Sequence, residues 1–402
     1  MKAGHLSQYF TAIAAKRLSA VEGNLLKSHQ HEFNGIESLK RIFGQAIGKK
    51  KFQAKFVYLN DHEDGAITAD GSLTWYDARE RHLTRSEHRM YFPTTPVSEC
   101  AAEGDLLVIG RRPDDSVLVV VAKADSTVAN QVKWLFGLTD MADKAFEIRE
   151  NMETAHDQLS FASRIILESI GIEVETAEDA YLEKILEKFG TRFPPTREFS
   201  TYARSTLKDV NARENPDAAI MAWMDREETL FRTLERHLLA DQLTKGFDGD
   251  MDGFIKFSLS VQNRRKSRVG LALENHLETL FTECGVRYAR TVTTENKAKP
   301  DFLFPGSAEY HDPSFDSVHL TMLGVKSTCK DRWRQVLAEA DRISHKHLLT
   351  LETAISTNQT DEMKAKLLSL VIPKALHATY MDAQQNWLLD VASFIALVRE
   401  RQ

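Results

Sequence analysis

Asp301, Lys326 and Glu339 have the types and spacing to hydrolyse a phosphodiester. Asp301 follows Pro300 and opens the apolar run "DFLFP"; Lys326 ends the apolar run "HLTMLGVK"; Glu339 lies in the amphipathic stretch that follows. A lysine at the end of a buried strand costs free energy unless its ammonium reaches solvent or a partner. An acid on one strand, a lysine on the next and an acid on the following helix can converge at one end of a sheet. Two carboxylates there offer hard oxygen ligands to Mg²⁺, which keeps water and phosphate oxygens in its remaining positions. Such a metal stabilises charge on the phosphoryl oxygens and acidifies bound water. The ammonium of Lys326 can hold the attacking water and offset developing negative charge. Glu274, on the preceding helix, can reach the same place through water or the metal. The plainer reading is that Asp301 only starts a strand, Lys326 extends its ammonium to solvent and Glu339 is a solvated helix residue.

Just past Lys326 the triplet Lys330-Asp331-Arg332 opens a helix. Lys and Arg donate to guanine O6 and N7, and Asp accepts from cytosine N4, so the triplet suits adjacent G·C pairs. Asp331 has a second explanation: "TCKD" fits a capping box, with Thr328 at the N-cap and Asp331 at N3.

The elements that must position these groups follow from periodicity. "RVGLALENHLETLFTECG" is an amphipathic helix, with Leu273, Leu277, Leu280 and Phe281 on one stripe and Gly285 at its end. "VRYARTV", "DFLFP", "HLTMLGV" and "LLSLVIP" read as short strands, and a helix from about Asp331 buries Trp333, Val336, Leu337, Ala340 and Ile343. The expectation is an α/β catalytic domain with a short mixed central sheet over residues 196–402. Residues 1 to about 140 carry the β-branched and aromatic enrichment of strands, as in "KFQAKFVYL" and "DSVLVVVAKA". The stretch 138–170, "LTDMADKAFEIRENMETAHDQLSFASRIILESI", has apolar residues at helical spacing. Gly and a Pro pair in "EKFGTRFPPTREFS" punctuate the chain. The division expected is a β-rich domain over 1–165, a linker over 166–195, and the catalytic domain.

The bulk numbers fit such a protein. Of 402 residues, 42% are hydrophobic and 27% charged, the range of ordinary globular chains. No apolar run is long enough to span a membrane, and the N-terminal segment lacks the apolar core of a signal peptide. Cys100, Cys284 and Cys329 are too scattered for a disulfide framework or a metal-ligand spacing; a reducing cytoplasm is the compartment expected. The formal net charge of −6 hides local basic clusters: Lys49 to Lys51, Arg79 to Arg89, and Asn263 to Arg268, which includes Arg264 and Arg265. Clusters in both halves point to a polyanion.

"SVQNRRKSRVGLALENHLETLF", "KPDFLFPGSAEYHD" and "LGVKSTCKDRWRQVLAEAD" together resemble the catalytic half of the EcoRII-type restriction endonucleases, over most of residues 211–372. The resemblance implies a PD-(D/E)XK restriction-endonuclease-like fold. It implies Asp301, Lys326 and Glu339 as the catalytic set, Asp301 and Glu339 as Mg²⁺ ligands, and Glu274 as an added acid. It also implies Lys330, Asp331 and Arg332 as readers of C·G pairs in a CC…GG site. Tyr310, in "AEYHD", matches a tyrosine near the active site of that family, though a packed loop aromatic explains it better than direct chemistry does. In the N-terminal half the resemblance is carried by "AKRLSA", with Lys16 and Arg17, by His29-Gln30, and by "YDARERHLTRSEHR", with Arg85, Glu87, His88 and Arg89. It implies a B3-like pseudobarrel that binds a second copy of the site and relieves inhibition of the nuclease. The mixed cations and acids of Arg85 to Arg89 suit base edges as well as phosphates. Trp223, in "MAWMDREE", is a stacking surface for a flipped base or a core aromatic.

The expected activity is thus a Mg²⁺-dependent type II endonuclease acting as a homodimer on double-stranded DNA, since a palindromic site mirrors two-fold protein symmetry. Two other classes remain open: a DNA-binding regulator with an inactive nuclease fold, and a repair nuclease that reads structure rather than sequence. The full acid-lysine-acid set speaks against the first and the Lys330-Asp331-Arg332 triplet against the second.

Overall fold

A computed structural model describes the chain except for residues 1, 3, 24–30, 34–35, 62–65, 83, 139–144, 175–180 and 330–331. His29, Gln30, Lys330 and Asp331 therefore lie outside the described residues. The chain divides into two units, Met1–Val174 with Ala378–Met381, and Glu175–His377 with Asp382–Gln402.

The first unit is built on one eight-stranded sheet. Its strands are β1 (Ala12–Arg17), β2 (Glu32–Phe33), β3 (Lys50–Leu59), β4 (Ile67–Asp77), β5 (His88–Tyr91), β6 (Leu106–Arg111), β7 (Val117–Ala122) and β8 (Glu147–Arg149), in the order β2-β5-β4-β3-β7-β6-β1-β8. All neighbours are antiparallel except β3 and β7. Alternation sorts the side chains. Phe52, Phe56, Trp75, Met90 and Val119 enter one core, while Val57, Val108, Leu118 and Val120 enter another against helices α1 (Thr127–Phe136) and α2 (Phe161–Ser169). Because residues of β1 and β5 share the first core, the sheet curls around it.

The stretch 138–170 corrects the expectation of a largely helical segment. Among its described residues only Phe161–Ser169 is helical; Glu147–Arg149 is a strand paired antiparallel with β1. Phe146 and Ile148, two residues apart, both pack into the first core, so a period of two won locally. The buried carboxylate of Asp157 fixes the turn beyond, accepting Arg149 Nη2 at 2.8 and 2.9 Å and the Thr154 amide at 3.0 Å.

The second unit opens with helices α3 (Leu182–Phe189), α4 (Thr196–Ser205), α5 (Pro216–Lys245) and α6 (Met251–Glu283). The stretch 166–195 is thus not all linker. It holds the end of α2 and all of α3, and Ile185, Leu186 and Phe189 of α3 pack with Phe199 of α4 and Phe231 of α5. The sheet of this unit is β9 (Ala289–Arg290), β10 (Phe302–Phe304), β11 (Thr321–Lys326), β12 (Lys346–Thr350) and β13 (Leu368–Val371), ordered β13-β12-β11-β10-β9. β9, β10 and β11 are antiparallel, and β11, β12 and β13 parallel. This is the short mixed sheet expected of the α/β domain. Leu273, Leu277, Leu280 and Phe281 of α6 are fully buried, and Phe281 meets the rings of Phe302, Phe304 and Phe394. Gly285 follows the cap at φ +69°, the left-handed conformation that ends a helix.

The helix after Lys326 is shorter than its apolar spacing predicts. Among the described residues it is one turn, α7 (Trp333–Val336), with Arg332 at its N-cap and no side-chain capping bond there; Asp331, the other half of the Thr328 capping box, lies outside them. The turn approaches β11 because residue 324 is glycine: a Cβ there would stand 2.8 Å from Val336 Cγ2. The amides of Leu337, Ala338 and Glu339 then bond three residues back, and Ala340 turns into the left-handed region at φ +53°. Trp333, Val336, Ala340 and Ile343 are buried as expected, but Glu339 stands on an irregular turn rather than a helix.

Candidate active site

Antiparallel pairing of β10 with β11 sets Phe302 opposite Leu323, which brings Asp301 alongside the end of β11. Oδ2 of Asp301 accepts the Val325 amide at 2.6 Å and Lys326 Nζ at 3.1 Å. Lys326 also donates to the Val325 carbonyl at 3.0 Å. Both side chains are mostly buried, so the pair is little screened.

Glu339 reaches the same place from the turn after α7. Burial pushes its carboxyl up to about 7; the charge of Asp301 pushes the same way, and Lys326 and Lys346 oppose. Its Oε2 is buried without a hydrogen-bond partner. Glu274, on α6, is likewise raised by burial and by Asp301, against Arg290 and Lys326. Nη2 of Arg290 holds Glu274 at 2.7 Å, while Nη1 holds Glu278 at 2.7 Å, and Arg197 reaches Glu278 at 2.8 Å from the surface. Strand, strand, turn and helix thus bring three acids and one lysine into one electrostatic neighbourhood. Burial and the charge of Asp301 raise both Glu274 and Glu339, a pattern found at functional sites.

A divalent cation fits this donor set. Among the described residues no three His, Cys, Asp or Glu side chains stand close enough to hold a metal ion together. Mg²⁺ asks for only one or two carboxylates, however, and the orphaned Oε2 of Glu339 is an oxygen such an ion would satisfy.

Tyr310 is fully buried, and its hydroxyl donates to Glu295 Oε2 at 2.5 Å. Burial and that bond keep the phenol protonated. Glu295 in turn accepts the Asp341 amide at 3.2 Å, which ties Tyr310 to the turn carrying Glu339. The packed-aromatic reading of Tyr310 describes its surroundings. Trp223 is likewise a core aromatic, buried against His276 and unavailable to a flipped base.

The basic candidates separate. Arg332 is exposed. Arg265 pairs with Glu235 at 2.7 Å, Arg264 lies 4.1 Å from the centre of the Phe193 ring, and Arg268 is buried between Phe199 and Phe231 with a bond to the Pro194 carbonyl. The "NRRKSR" cluster is therefore largely spent on holding α6 to its neighbours. In the first unit Lys16 is buried and paired with Glu22. Arg17 donates to the Gly104 carbonyl at 2.9 Å. His88 is buried against Trp75; its Nε2 accepts the Ala46 amide at 3.0 Å, and burial lowers its pKa. Lys16 and His88 are thus occupied inside the fold, a correction to reading them as DNA contacts. Arg85 is exposed, and Arg89 bridges Glu87 at 2.7 Å and Glu32 at 3.0 Å. Glu32, Arg290, Glu295 and Lys346 are the residues that reading along the chain missed; each acts through a partner on another element of the fold.

The description "EcoRII C terminal" fits residues 231–395. Over 400 residues the chain is 41% identical to the type II restriction enzyme EcoRII of Escherichia coli, covering 96% of this chain and 93% of that protein. Among solved structures, metal-depleted Ecl18kI bound to uncleaved, modified DNA aligns with a TM-score of 0.45 at 19% identity, over 56% of this chain and 85% of that one. The complex of the restriction endonuclease PspGI with substrate DNA aligns with a TM-score of 0.44 at 14% identity, over 52% and 93%. Identity at this level along nearly the whole length shows that the chain belongs to the EcoRII family of type II restriction endonucleases.

Proposed function

We propose that this type II site-specific endonuclease hydrolyses double-stranded DNA at a CC…GG-type palindrome, with Mg²⁺ held by Asp301 and Glu339. The carrying observation is the convergence of Asp301, Lys326 and Glu339 at the end of β11, with Glu274 beside them. Mg²⁺ would supply charge for the phosphoryl oxygens and an acidified water. The chain's own groups do the rest. Asp301 orients the Lys326 ammonium, which holds the attacking water and offsets negative charge as it develops. Glu339, raised by burial, is ready to exchange its proton for a cation.

Lys330, Asp331 and Arg332, directly after β11, are proposed as readers of the G·C pairs, where one bidentate contact is worth about 1–3 kcal/mol of discrimination. A homodimer would place one active site on each strand. The curled sheet of the first unit is proposed to be a B3-like pseudobarrel that binds a second copy of the site through Arg85, Glu87 and Arg89. That binding would relieve inhibition of the nuclease. Two units with separate cores support this reading. Incubation of a sequenced plasmid with the full chain and Mg²⁺ tests it: discrete fragments ending at CC…GG sites are expected, and random nicking or no cleavage would refute it.

A further inference from the structure

We propose that Lys346 is a positioning residue for Glu339: its ammonium holds the main chain of the Glu339 turn and so sets where that carboxylate stands. The inference rests on Glu339 serving as a metal ligand.

Lys346 opens β12, whose five residues are all buried. Its Nζ donates to the Leu337 carbonyl at 2.8 Å and to the Glu339 carbonyl at 2.6 Å. The charges of Asp341, Glu339 and Glu295 act on it, while its direct bonds are to these two carbonyls. A buried ammonium is costly, and an apolar side chain of similar length would fill the space at lower cost. What the cation does here is bind two carbonyl groups that the unwound helix end leaves without amide partners.

That turn needs external support. Ala340 sits at φ +53°, where a residue with a Cβ is held only if its surroundings impose the conformation. The amide side is held by the loop at Thr294 and Glu295: the Ala340 N–H reaches Thr294 Oγ1 at 3.4 Å and the Asp341 N–H reaches Glu295 Oε2 at 3.2 Å. Lys346 holds the carbonyl side. The Glu339 carboxylate projects from between these two clamps toward Asp301 and Lys326, whose charges it feels. Release of the carbonyl clamp frees the turn to rotate and takes Glu339 away from the cation position.

The test is a double-mutant cycle on the full chain, read by Mn²⁺ binding in electron paramagnetic resonance and by the Mg²⁺ concentration that half-saturates plasmid cleavage. Groups that orient a metal ligand typically change metal affinity by about 10–100-fold when removed. Lys346→Met is expected to weaken Mn²⁺ binding and raise the Mg²⁺ requirement by about tenfold or more, with binding to the specific duplex unchanged. Lys346→Arg should recover part of the loss. In a Glu339→Gln background, Lys346→Met should add nothing, because both changes act through one group. If Glu339→Gln alone leaves metal binding intact, the assignment of Glu339 as a ligand fails. If Glu339→Gln weakens binding but Lys346→Met does not, or the two losses add, the positioning role of Lys346 is overturned. Should Lys346→Met not fold, Lys346→Gln replaces it in the cycle. Failure of both to fold would make Lys346 a residue of the core and overturn the proposal.

Discussion

One carboxylate oxygen of Asp301 serves both the Lys326 ammonium, at 3.1 Å, and the Val325 amide, at 2.6 Å. Asp301 therefore anchors the end of β11 as well as orienting the lysine. These two duties separate by substitution. Asp301→Asn keeps an acceptor for the Val325 amide and should fold with near-normal stability, yet lose cleavage for want of a charged ligand. Asp301→Ala should lose cleavage and also about 1–3 kcal/mol of stability, because the Val325 amide is left unpaired. Urea denaturation of the two variants checks this; equal stabilities would mean the amide bond contributes nothing.

Arg332 is exposed beside the end of the catalytic strand. Arg332→Ala should weaken binding to the specific site by about 1–3 kcal/mol while changing binding to random duplex little. Titrations on both duplexes at one salt concentration decide it. Equal losses on the two would make Arg332 a phosphate contact.

The raised carboxyl of Glu339 gives stability a pH dependence. Folded, it titrates at about 7; its ordinary value is 4.5. Between these the folded chain keeps a proton that the unfolded chain has released, so this contribution is complete below about 4.5 and lost as pH rises through about 7. At about 1.4 kcal/mol per pH unit the interval from 4.5 to about 7 is worth about 3.5 kcal/mol, which solvent screening of the half-buried carboxyl reduces to about 2–3 kcal/mol in metal-free protein. Glu339→Gln should remove that slope, and Mg²⁺ at neutral pH should offset it. Parallel melting curves from pH 4.5 to 7.5 for the wild type and Glu339→Gln would rule this account out.

Regulation is open to a rate comparison. Since α3 belongs to the core of the second unit, the cut that preserves that core is at Glu175. The chain starting there should fold and cut a single-site plasmid faster than the full chain. A short duplex carrying the site should accelerate the full chain, and Arg85→Ala should weaken that stimulation. A soluble truncated nuclease no faster than the full chain, with no effect of duplex, would leave the first unit as an anchoring surface only.

The catalytic sheet was legible in the sequence because its strands are short apolar runs closed by Gly, Pro or charge. The stripe of Leu273, Leu277 and Phe281 likewise announced α6. The stretch 138–170 misled because helical and strand periods overlap in short apolar patterns; Phe146 and Ile148 settle it only by pairing with distant β1. The helix after Lys326 misled for a different reason. Its apolar spacing is helical, but Lys346, on the next strand, and Glu295, 46 residues before Asp341, take up its polar main-chain groups, and no local periodicity announces either. The resemblance points to Lys16 and His88 as nucleic-acid contacts. Glu22 and the Ala46 amide occupy them, and partners of that kind are invisible without the fold.

The central claim is that Asp301, Lys326 and Glu339 form one hydrolytic site that acts at defined sequences. Its most direct test is cleavage of one sequenced plasmid, in Mg²⁺, by the full chain and by Lys326→Ala at equal specific binding to the duplex. The account predicts discrete fragments ending at CC…GG sites from the wild type, and binding without cleavage from Lys326→Ala. Retention of near wild-type cleavage by Lys326→Ala would contradict it.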